Sequence, residues 1–182
     1  MPHGRPRLEH LVSVPTRPAG GTAADVEGVD LSGARCRLPL GTDRRRTVLL
    51  FLGTSCDGCR PFWLAAGAPG ALGLAPGDGV VVVARPAPPE DLCLLRSLAK
   101  ADRGPGAVVL SDAAWRDYRV QGPPFFALVE EGRVTTEGVA WSVQQVEADV
   151  RRALGRAGTD VGGVRPAVTG IPDADGMGGA GE

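Results

Sequence analysis

The chain has 182 residues, of which 27 are Gly, 16 are Pro and eight are aromatic (four Phe, three Trp and one Tyr). A hydrophobic content of 43% with a net charge of −1 is compatible with a globular domain that buries a core. The near balance of 20 basic and 21 acidic residues excludes a broad basic surface for nucleic acid or anionic membranes, and no run of 18 apolar residues predicts a membrane span.

Both ends of the chain have compositions that disfavour a packed core. Residues 1–24 contain repeated Pro and Gly with weak periodicity, which predicts a disordered or extended arm. Residues 158–182 hold eight Gly and no aromatic residue, which predicts a disordered tail. Because Met1–Gly20 lacks the apolar stretch of a secretory signal, we expect a cytoplasmic location, or an extracytoplasmic one if an export segment was removed.

The first predicted elements are a ribbon, a strand and a helix. Gly28–Leu31 and Arg35–Leu40, separated by Ser32-Gly33, predict a short two-stranded β-ribbon. Thr47–Leu52 is a continuous apolar run of six residues, which is typical of a strand buried on both faces. A helix is expected over Asp57–Ala66, followed by a Gly and a Pro that end it.

The middle of the chain alternates strands and helices. Val80–Ala84 predicts a β-branched strand, and the segment from Pro88 to Lys100 predicts a helix with leucines at helical spacing. A strand over Ala107–Leu110 and a short helix over Ala113–Tyr118 follow. This order predicts parallel strand pairing through right-handed crossovers.

The pattern then changes to a hairpin and a final helix. Phe125–Glu130 and Arg133–Val139 flank a two-residue turn that ends in Gly, which predicts an antiparallel hairpin. Ser142 and Gln145 have the spacing of a capping box for the helix that follows. That helix is expected to place one apolar face inward and an i, i+4 ion pair outward: Val143, Val146, Val150 and Leu154 on the first, Glu147 and Arg151 on the second. The elements together predict an α/β fold with a central mixed β-sheet flanked by helices and an N-terminal β-ribbon.

Two of the four cysteines form a close pair, Cys56-Asp57-Gly58-Cys59, after a buried strand and at the start of a helix. Unpaired backbone N–H groups at the beginning of a helix stabilise a thiolate and lower the pKa of the first thiol below its free value of about 8.5. A partner three residues later lies one turn further on and can attack a mixed disulfide. The spacing therefore favours a redox-active dithiol.

Other functions of the same two thiols stay open. A short cysteine pair also binds zinc, but zinc sites generally need four ligands, no second pair is present, and both histidines, His3 and His10, lie in the predicted arm. A metal-binding or metallochaperone module and a non-enzymatic adaptor remain the alternatives. The redox hypothesis requires no metal and no organic cofactor. Cys36 and Cys93 are expected to be small core residues.

Two longer motifs carry a resemblance to a known family. LLFLGTSCDGCRPFW and, later, VQGPPFFALVEEGRV resemble the active-site strand-turn-helix and the cis-proline hairpin of the thioredoxin fold. The preceding ribbon, the segment SDAAWRDYRV and the final helix are similar to thioredoxin-like proteins of the TlpA/ResA type. The resemblance covers about residues 25–157, which it identifies as a thioredoxin-like domain.

The resemblance implies a thiol-disulfide oxidoreductase that acts on protein or small-thiol substrates, and it implies roles for four residues of the motifs. Cys56 matches the exposed nucleophile, and Cys59 matches the buried resolving cysteine. Pro124 matches the cis-proline that faces the disulfide, and Pro123 matches the residue whose backbone pairs with an extended substrate segment. The implied partners are a disulfide-containing protein substrate and an electron-donor thiol or reductase.

The sequence departs from the thioredoxin pattern at four positions. Leu50 occupies the place of a buried acid, so no carboxylate is expected to take a proton from Cys59. Ser55 replaces the usual aromatic residue before the first cysteine, and the charge of Asp57 opposes thiolate formation. Pro123 has no N–H, so one donor for a bound peptide is missing.

Overall fold

An eight-stranded sheet forms the centre of the structure. The computed structural model describes residues 21–41, 46–86, 88, 90–100 and 107–160. Within these residues the order of the strands across the sheet is β1-β8-β7-β4-β5-β6-β2-β3. Their bounds are β1 (Gly21–Thr22), β2 (Val26–Val29), β3 (Arg35–Leu38), β4 (Thr47–Phe51), β5 (Gly79–Ala84), β6 (Val108–Leu110), β7 (Phe125–Glu130) and β8 (Arg133–Val139).

Helices lie on both faces of this sheet. The predicted helix after β4 is divided into a 3-10 turn, Asp57–Cys59, and an α-helix. A second 3-10 turn covers Pro69–Leu72. The α-helices are α1 (Arg60–Ala66), α2 (Leu92–Lys100), α3 (Asp112–Asp117) and α4 (Val143–Asp160). The α/β class and the flanking helices are therefore as predicted.

The sheet is mixed, as the order of elements predicts. β4 pairs with β5 and β5 pairs with β6 in parallel, whereas β7 pairs with both β4 and β8 in antiparallel fashion. The β7–β8 turn places Glu131 at φ 49° and Gly132 at φ 75°. A two-residue hairpin needs this left-handed conformation at both positions. A Cβ atom on Gly132 would lie 3.0 Å from the Cα atom of Gly41, so a close approach also requires glycine there.

Strand β4 contributes side chains to the hydrophobic core on both faces of the sheet. All five of its residues are buried, and successive side chains of a strand point to opposite faces. Val48 and Leu50 belong to the cluster that contains residues of α1, α2 and α4. Leu49 and Phe51 belong to the cluster that contains Trp115 and other residues on the α3 side. Burial on both faces explains why the sequence shows a continuous apolar run and no alternation.

The sheet begins earlier than the sequence indicates. Gly21–Thr22, within the predicted arm, pairs with β8 at Val134 and Arg133. The ribbon, β2 and β3, also starts two residues before its predicted position. Strand β1 is only two residues long and has no hydrophobic pattern, so periodicity does not reveal it. Residues 1–20 of the predicted arm lie outside the described residues, whereas Ala23 is buried and its N–H donates to the Gly132 carbonyl at 2.8 Å. The predicted disordered tail begins at residue 158, but α4 extends to Asp160, and only the residues from 161 onward lie outside the described part.

Helix α4 begins with the predicted capping interaction. The Ser142 Oγ atom accepts a hydrogen bond from the Gln145 N–H at 3.1 Å. The Gln145 side chain does not complete the usual reciprocal bond; it accepts from the Trp141 N–H at 3.0 Å. Further along α4, the Arg151 guanidinium forms the predicted ion pair with the Glu147 carboxylate, with a nitrogen–oxygen distance of 2.8 Å. The capping residue and the charge spacing are confirmed.

The carboxyl group of Asp25 makes stability depend on pH. A hydrogen bond from Arg37 at 2.8 Å, and next the Leu40 N–H at 2.9 Å, lower the pKa of Asp25 below its ordinary value of 3.8. A lowered folded-state pKa stabilises the fold above the unfolded pKa, and this contribution is lost as the pH falls through the folded pKa. Asp25→Asn should therefore reduce the free energy of unfolding at pH 7 and have a smaller effect below about pH 3.

Urea unfolding of both proteins at the two pH values measures this difference. Arg37→Gln removes the largest cause of the shift and should give the same trend. A difference in stability between wild type and Asp25→Asn that is equal at both pH values would contradict this account.

Candidate active site

Cys56 and Cys59 form a disulfide at the end of the sheet where β4 terminates. Their Cα atoms are 5.4 Å apart, within the usual range for disulfides. The two cysteines differ in accessibility, since Cys56 is partly exposed and Cys59 is 1% exposed. A substrate that approaches from solvent can therefore contact the first cysteine but not the second.

Local geometry fixes this arrangement. The backbone of Cys56 is extended (φ −99°, ψ 107°). The Cys59 N–H donates to the Cys56 carbonyl oxygen at 3.0 Å, and this hydrogen bond closes the 3-10 turn. Pro61 lies in the first turn of α1, where its missing N–H leaves no helical hydrogen bond unmade. Phe62 and Trp63 are 1% and 2% exposed, so both anchor α1 in the core. A buried strand before the turn and an anchored helix after it hold the cysteine pair in place.

The two predicted prolines lie near the cysteine loop, Pro124 beside the turn and Pro123 beside Gly53. The Pro123–Pro124 peptide bond is cis, as the resemblance implies. A Cβ atom built on Gly58 would lie 3.8 Å from the Pro124 Cδ atom, and one built on Gly53 would lie 3.5 Å from the Pro123 Cγ atom. The Pro124 carbonyl accepts a hydrogen bond from the backbone N–H of the residue after β8 at 2.9 Å. The structure therefore brings together the four residues that the sequence singled out.

A buried glutamate that the sequence analysis missed lies beside the same loop. Glu90 is 7% exposed, and its Oε2 atom accepts hydrogen bonds from the N–H and the hydroxyl group of Thr54, each at 2.6 Å. Its Oε1 atom lies 3.0 Å from the position that a Cβ on Gly53 would take. The backbone N–H of Asp91 also donates to the Thr54 Oγ1 atom at 3.1 Å.

Leu50 is buried, and a buried carboxylate from another segment lies beside the loop that precedes Cys56. That no carboxylate takes a proton from Cys59 stays a prediction. The start of α2 does correct an expectation. The sequence predicts a helix from Pro88, but α2 begins at Leu92, and this leaves Glu90 in a loop. Thr54 and Glu90 are 36 residues apart, so no local pattern connects them.

A groove of about 510 Å³ runs beside the exposed cysteine, between the start of α1 and α2. One part of its wall is apolar, and Leu94 is 42% exposed there. Asp57 and Arg60 contribute opposite charges. The full lining is Gly53, Thr54, Cys56, Asp57, Arg60, Trp63, Leu94 and Leu98. A peptide segment bound in this groove would lie against the Cys56 side chain.

The remaining cysteines have different environments. Cys36 is partly buried and packs against the cluster on the α3 side, in line with its predicted role in packing. Cys93 is exposed, so its predicted place in the core is wrong. Leu95 is the fully buried residue of α2, and Cys93 lies two positions before it, about 200° around the helix.

These environments predict unequal reactivity of the free thiols. Burial, and next the charge of Asp30, raise the pKa of Cys36 above its ordinary value of 9.0. Since the thiolate is the nucleophile, iodoacetamide at pH 7.5 should modify Cys93 well before Cys36 in the native protein. Peptide mass spectrometry over time measures both rates. In urea the two rates should converge, and equal rates in the native protein would contradict the prediction.

In the residues that the structure describes, no group of three or more His, Cys, Asp or Glu side chains is arranged to hold a metal ion. Nor does any helix of the same ranges have the length and apolar character needed to span a membrane.

Comparison with known proteins identifies the fold. Neither a protein-family model nor a curated protein sequence matches the chain. Among solved structures, the thioredoxin domain of a thiol-disulfide oxidoreductase from Bacteroides vulgatus is similar over 75% of this chain and 97% of that chain, with 19% identity and a TM-score of 0.55. A thiol:disulfide interchange protein from Bacteroides sp. is similar over 82% and 94% of the respective chains, with 18% identity and a TM-score of 0.53.

StoA from Bacillus subtilis is a third similar structure, over 69% of this chain and 95% of that chain, with 16% identity and a TM-score of 0.51. Each comparison extends over nearly the whole of the solved chain. The chain therefore has a thioredoxin-like fold, and the resemblance noted in the sequence is confirmed at the level of the fold.

Proposed function

We propose that this protein is a thiol-disulfide oxidoreductase in which Cys56 is the nucleophile and Cys59 is the resolving cysteine. The observation that carries the proposal is the disulfide between a partly exposed and a buried cysteine, opposite the cis bond at Pro124. This asymmetry gives each thiol one role. The attacking sulfur must reach solvent, and the resolving sulfur must be kept from it until the first step is complete.

In the reducing direction the reaction has two exchanges. The Cys56 thiolate attacks one sulfur of a substrate disulfide, forms a mixed disulfide and releases the other substrate sulfur as a thiolate. The Cys59 sulfur, after losing its proton, then attacks the Cys56 sulfur and displaces the second substrate thiolate. Two electrons pass from the dithiol to the substrate, both released thiolates can take up protons, and the protein is left with the Cys56–Cys59 disulfide.

The two prolines shape the surface on which the substrate lies. Pro124 packs beside Gly58, which closes one side of the cysteine turn. Pro123 is exposed and has no N–H, so an extended peptide bound along this edge gains one main-chain hydrogen bond fewer than a residue with an N–H would provide. The groove beside Cys56 offers apolar contact in its place. These features support a substrate held by side-chain contacts as well as by its backbone.

The partners follow from the reaction. A disulfide-containing protein is the substrate, and a second thiol or a reductase returns electrons to the Cys56–Cys59 disulfide. The expected cytoplasmic location would make the protein a reductant, because disulfides in that compartment are transient. The location and the electron donor are part of this proposal.

Equilibration in glutathione buffers tests the function directly. The fraction of reduced Cys56 and Cys59 is measured by thiol alkylation and mass spectrometry over a series of redox ratios. A reductase should give a cooperative two-electron transition at or below about −250 mV, whereas an oxidase would lie near −120 mV. Failure of the two thiols to form an intramolecular disulfide, or submicromolar binding of Zn(II) with no insulin reduction, would overturn the proposal.

A further inference from the structure

We infer that Glu90 is a positioning residue whose buried carboxylate holds the Thr54 segment in place and, by its charge, sets how readily the Cys56 thiol ionises. The inference rests on the proposed function, because it assigns a role in the same reaction.

The geometry ties Glu90 to the reactive loop. Two donors of Thr54, its N–H and its hydroxyl group, bond to the same oxygen of Glu90 at 2.6 Å each. Both bonds use donor hydrogens of Thr54, so this oxygen acts only as an acceptor. Thr54 is two residues before Cys56, and this short link transmits any displacement of the carboxylate to the cysteine.

The second oxygen of Glu90 faces the space between the loop and the prolines. Oε1 lies 3.0 Å from the position of a Cβ on Gly53, and the Pro123 Cγ atom lies 3.5 Å from the same position. A Cβ at this position would therefore crowd the carboxylate, while its distance from the proline ring is that of ordinary van der Waals contact. Gly53 thus leaves room for Glu90 beside the loop that carries the cysteine pair.

In the part of the chain that the structure describes, four charged residues lie at or just before the starts of the two helices that flank Cys56. On the α1 side they are Asp57 and Arg60, both of which line the groove. On the α2 side they are Glu90 and Asp91, and Asp91 is exposed. Among the described residues, no Lys or Arg side chain forms an ion pair with Glu90, which is 7% exposed. Of the three acids, it is therefore the one whose charge water screens least.

Chain geometry limits the distance over which this charge acts. Two residues span at most about 7 Å, so the Glu90 oxygen bonded to the Thr54 N–H lies within about 10 Å of the Cys56 backbone nitrogen and within about 14 Å of its sulfur. At about 14 Å and an effective dielectric constant of about 20, one charge changes an ionisation equilibrium by about tenfold. A negative charge disfavours the thiolate, so Glu90 should hold Cys56 in its protonated form to higher pH.

Glu90→Gln removes the charge and keeps an oxygen that can accept both bonds from Thr54. We expect this variant to lower the pKa of the Cys56 thiol by about one unit, so that the ratio of thiolate to thiol below that pKa rises about tenfold. The measurement is the pH profile of Cys56 alkylation in reduced protein, followed by peptide mass spectrometry. A role limited to packing would not move this profile.

Asp91→Asn is the matched control. It removes one negative charge from the neighbouring residue, whose side chain is exposed. The Asp91 Oδ1 atom accepts from the N–H groups of Cys93 and Leu94 at the start of α2, and an asparagine oxygen can keep this cap. Its profile should shift by about twofold or less. An unchanged profile in Glu90→Gln, or equal shifts in the two variants, would overturn the inference.

A measurement on the wild type covers the case in which Glu90→Gln does not fold. Charge coupling is reciprocal, so the carboxyl ¹³C signal of Glu90 should change as Cys56 ionises in the reduced protein and show no such step in the oxidised protein. A Glu90 signal that does not change when Cys56 ionises would overturn the inference. Neither readout needs a disulfide substrate, so an inactive protein with a shifted profile would defeat the proposed function alone, and an active one with an unmoved profile would defeat only the role of Glu90.

Discussion

Cys56→Ser is expected to abolish the reduction of a disulfide substrate, because the substitution removes the sulfur that solvent can reach. Cys59→Ser should behave differently. Its exposed Cys56 thiol can still attack a disulfide, but the buried hydroxyl group cannot resolve the product. Cys59→Ser should therefore accumulate a mixed disulfide with the substrate and turn over at a small fraction of the wild-type rate.

Insulin reduction and non-reducing electrophoresis measure these two results. Wild type should show turnover, Cys56→Ser should show neither turnover nor a covalent complex, and Cys59→Ser should show the complex. Cys93→Ser is a suitable control, since Cys93 is an exposed thiol outside the disulfide. A covalent complex in Cys56→Ser but not in Cys59→Ser would reverse the assignment of the two roles.

The largest expected loss of stability comes from Phe51→Ala at the end of β4. Phe51 is fully buried, and its ring centroid lies 5.6 Å from that of Trp115, 5.4 Å from that of Tyr118 and 6.0 Å from that of Phe125. Truncation removes buried apolar area and leaves a cavity among rings held by β7 and α3. The free energy of unfolding should fall by about 3 to 5 kcal/mol.

Urea denaturation measures this loss. Trp141→Ala is the comparison, because Trp141 is 76% exposed and its removal should change the free energy of unfolding by less than about 0.5 kcal/mol. Phe51→Leu keeps most of the apolar volume and should retain more stability than Phe51→Ala. Equal stability of Phe51→Ala and wild type would show that the neighbouring rings close the cavity without cost.

Local patterns in the sequence account for most of the fold. The apolar runs at β4 and β5, the hairpin turn at Glu131-Gly132 and the cap at Ser142 each depend on neighbouring residues, so their signals lie within one segment. The cysteine pair is visible for the same reason. The position of Pro124 beside it follows from resemblance, since no local rule places a proline against a turn about 65 residues away.

The parts that the sequence did not reveal depend on contacts between distant segments. Strand β1 exists because β8 offers a free edge, and two residues are too few to show a period. Glu90 is identified only by its bonds to Thr54, and charged residues after two prolines usually indicate a helix start. Cys93 lies on a helix whose leucine spacing indicates an apolar face; Leu95 is buried on that face, but the cysteine is on the other side.

The candidate site is built from three loops that are far apart in the sequence, so they are synthesised one after another. A nascent chain that has emerged only through α1 carries both reactive cysteines, yet it still lacks Glu90 and the two prolines. Until residue 124 has joined the sheet, these thiols resemble those of an ordinary unfolded peptide, with no buried acid beside them and no proline covering the turn. The nascent chain therefore exposes a dithiol before the candidate site is assembled, and the surroundings of the two thiols are completed only when β7 pairs with β4.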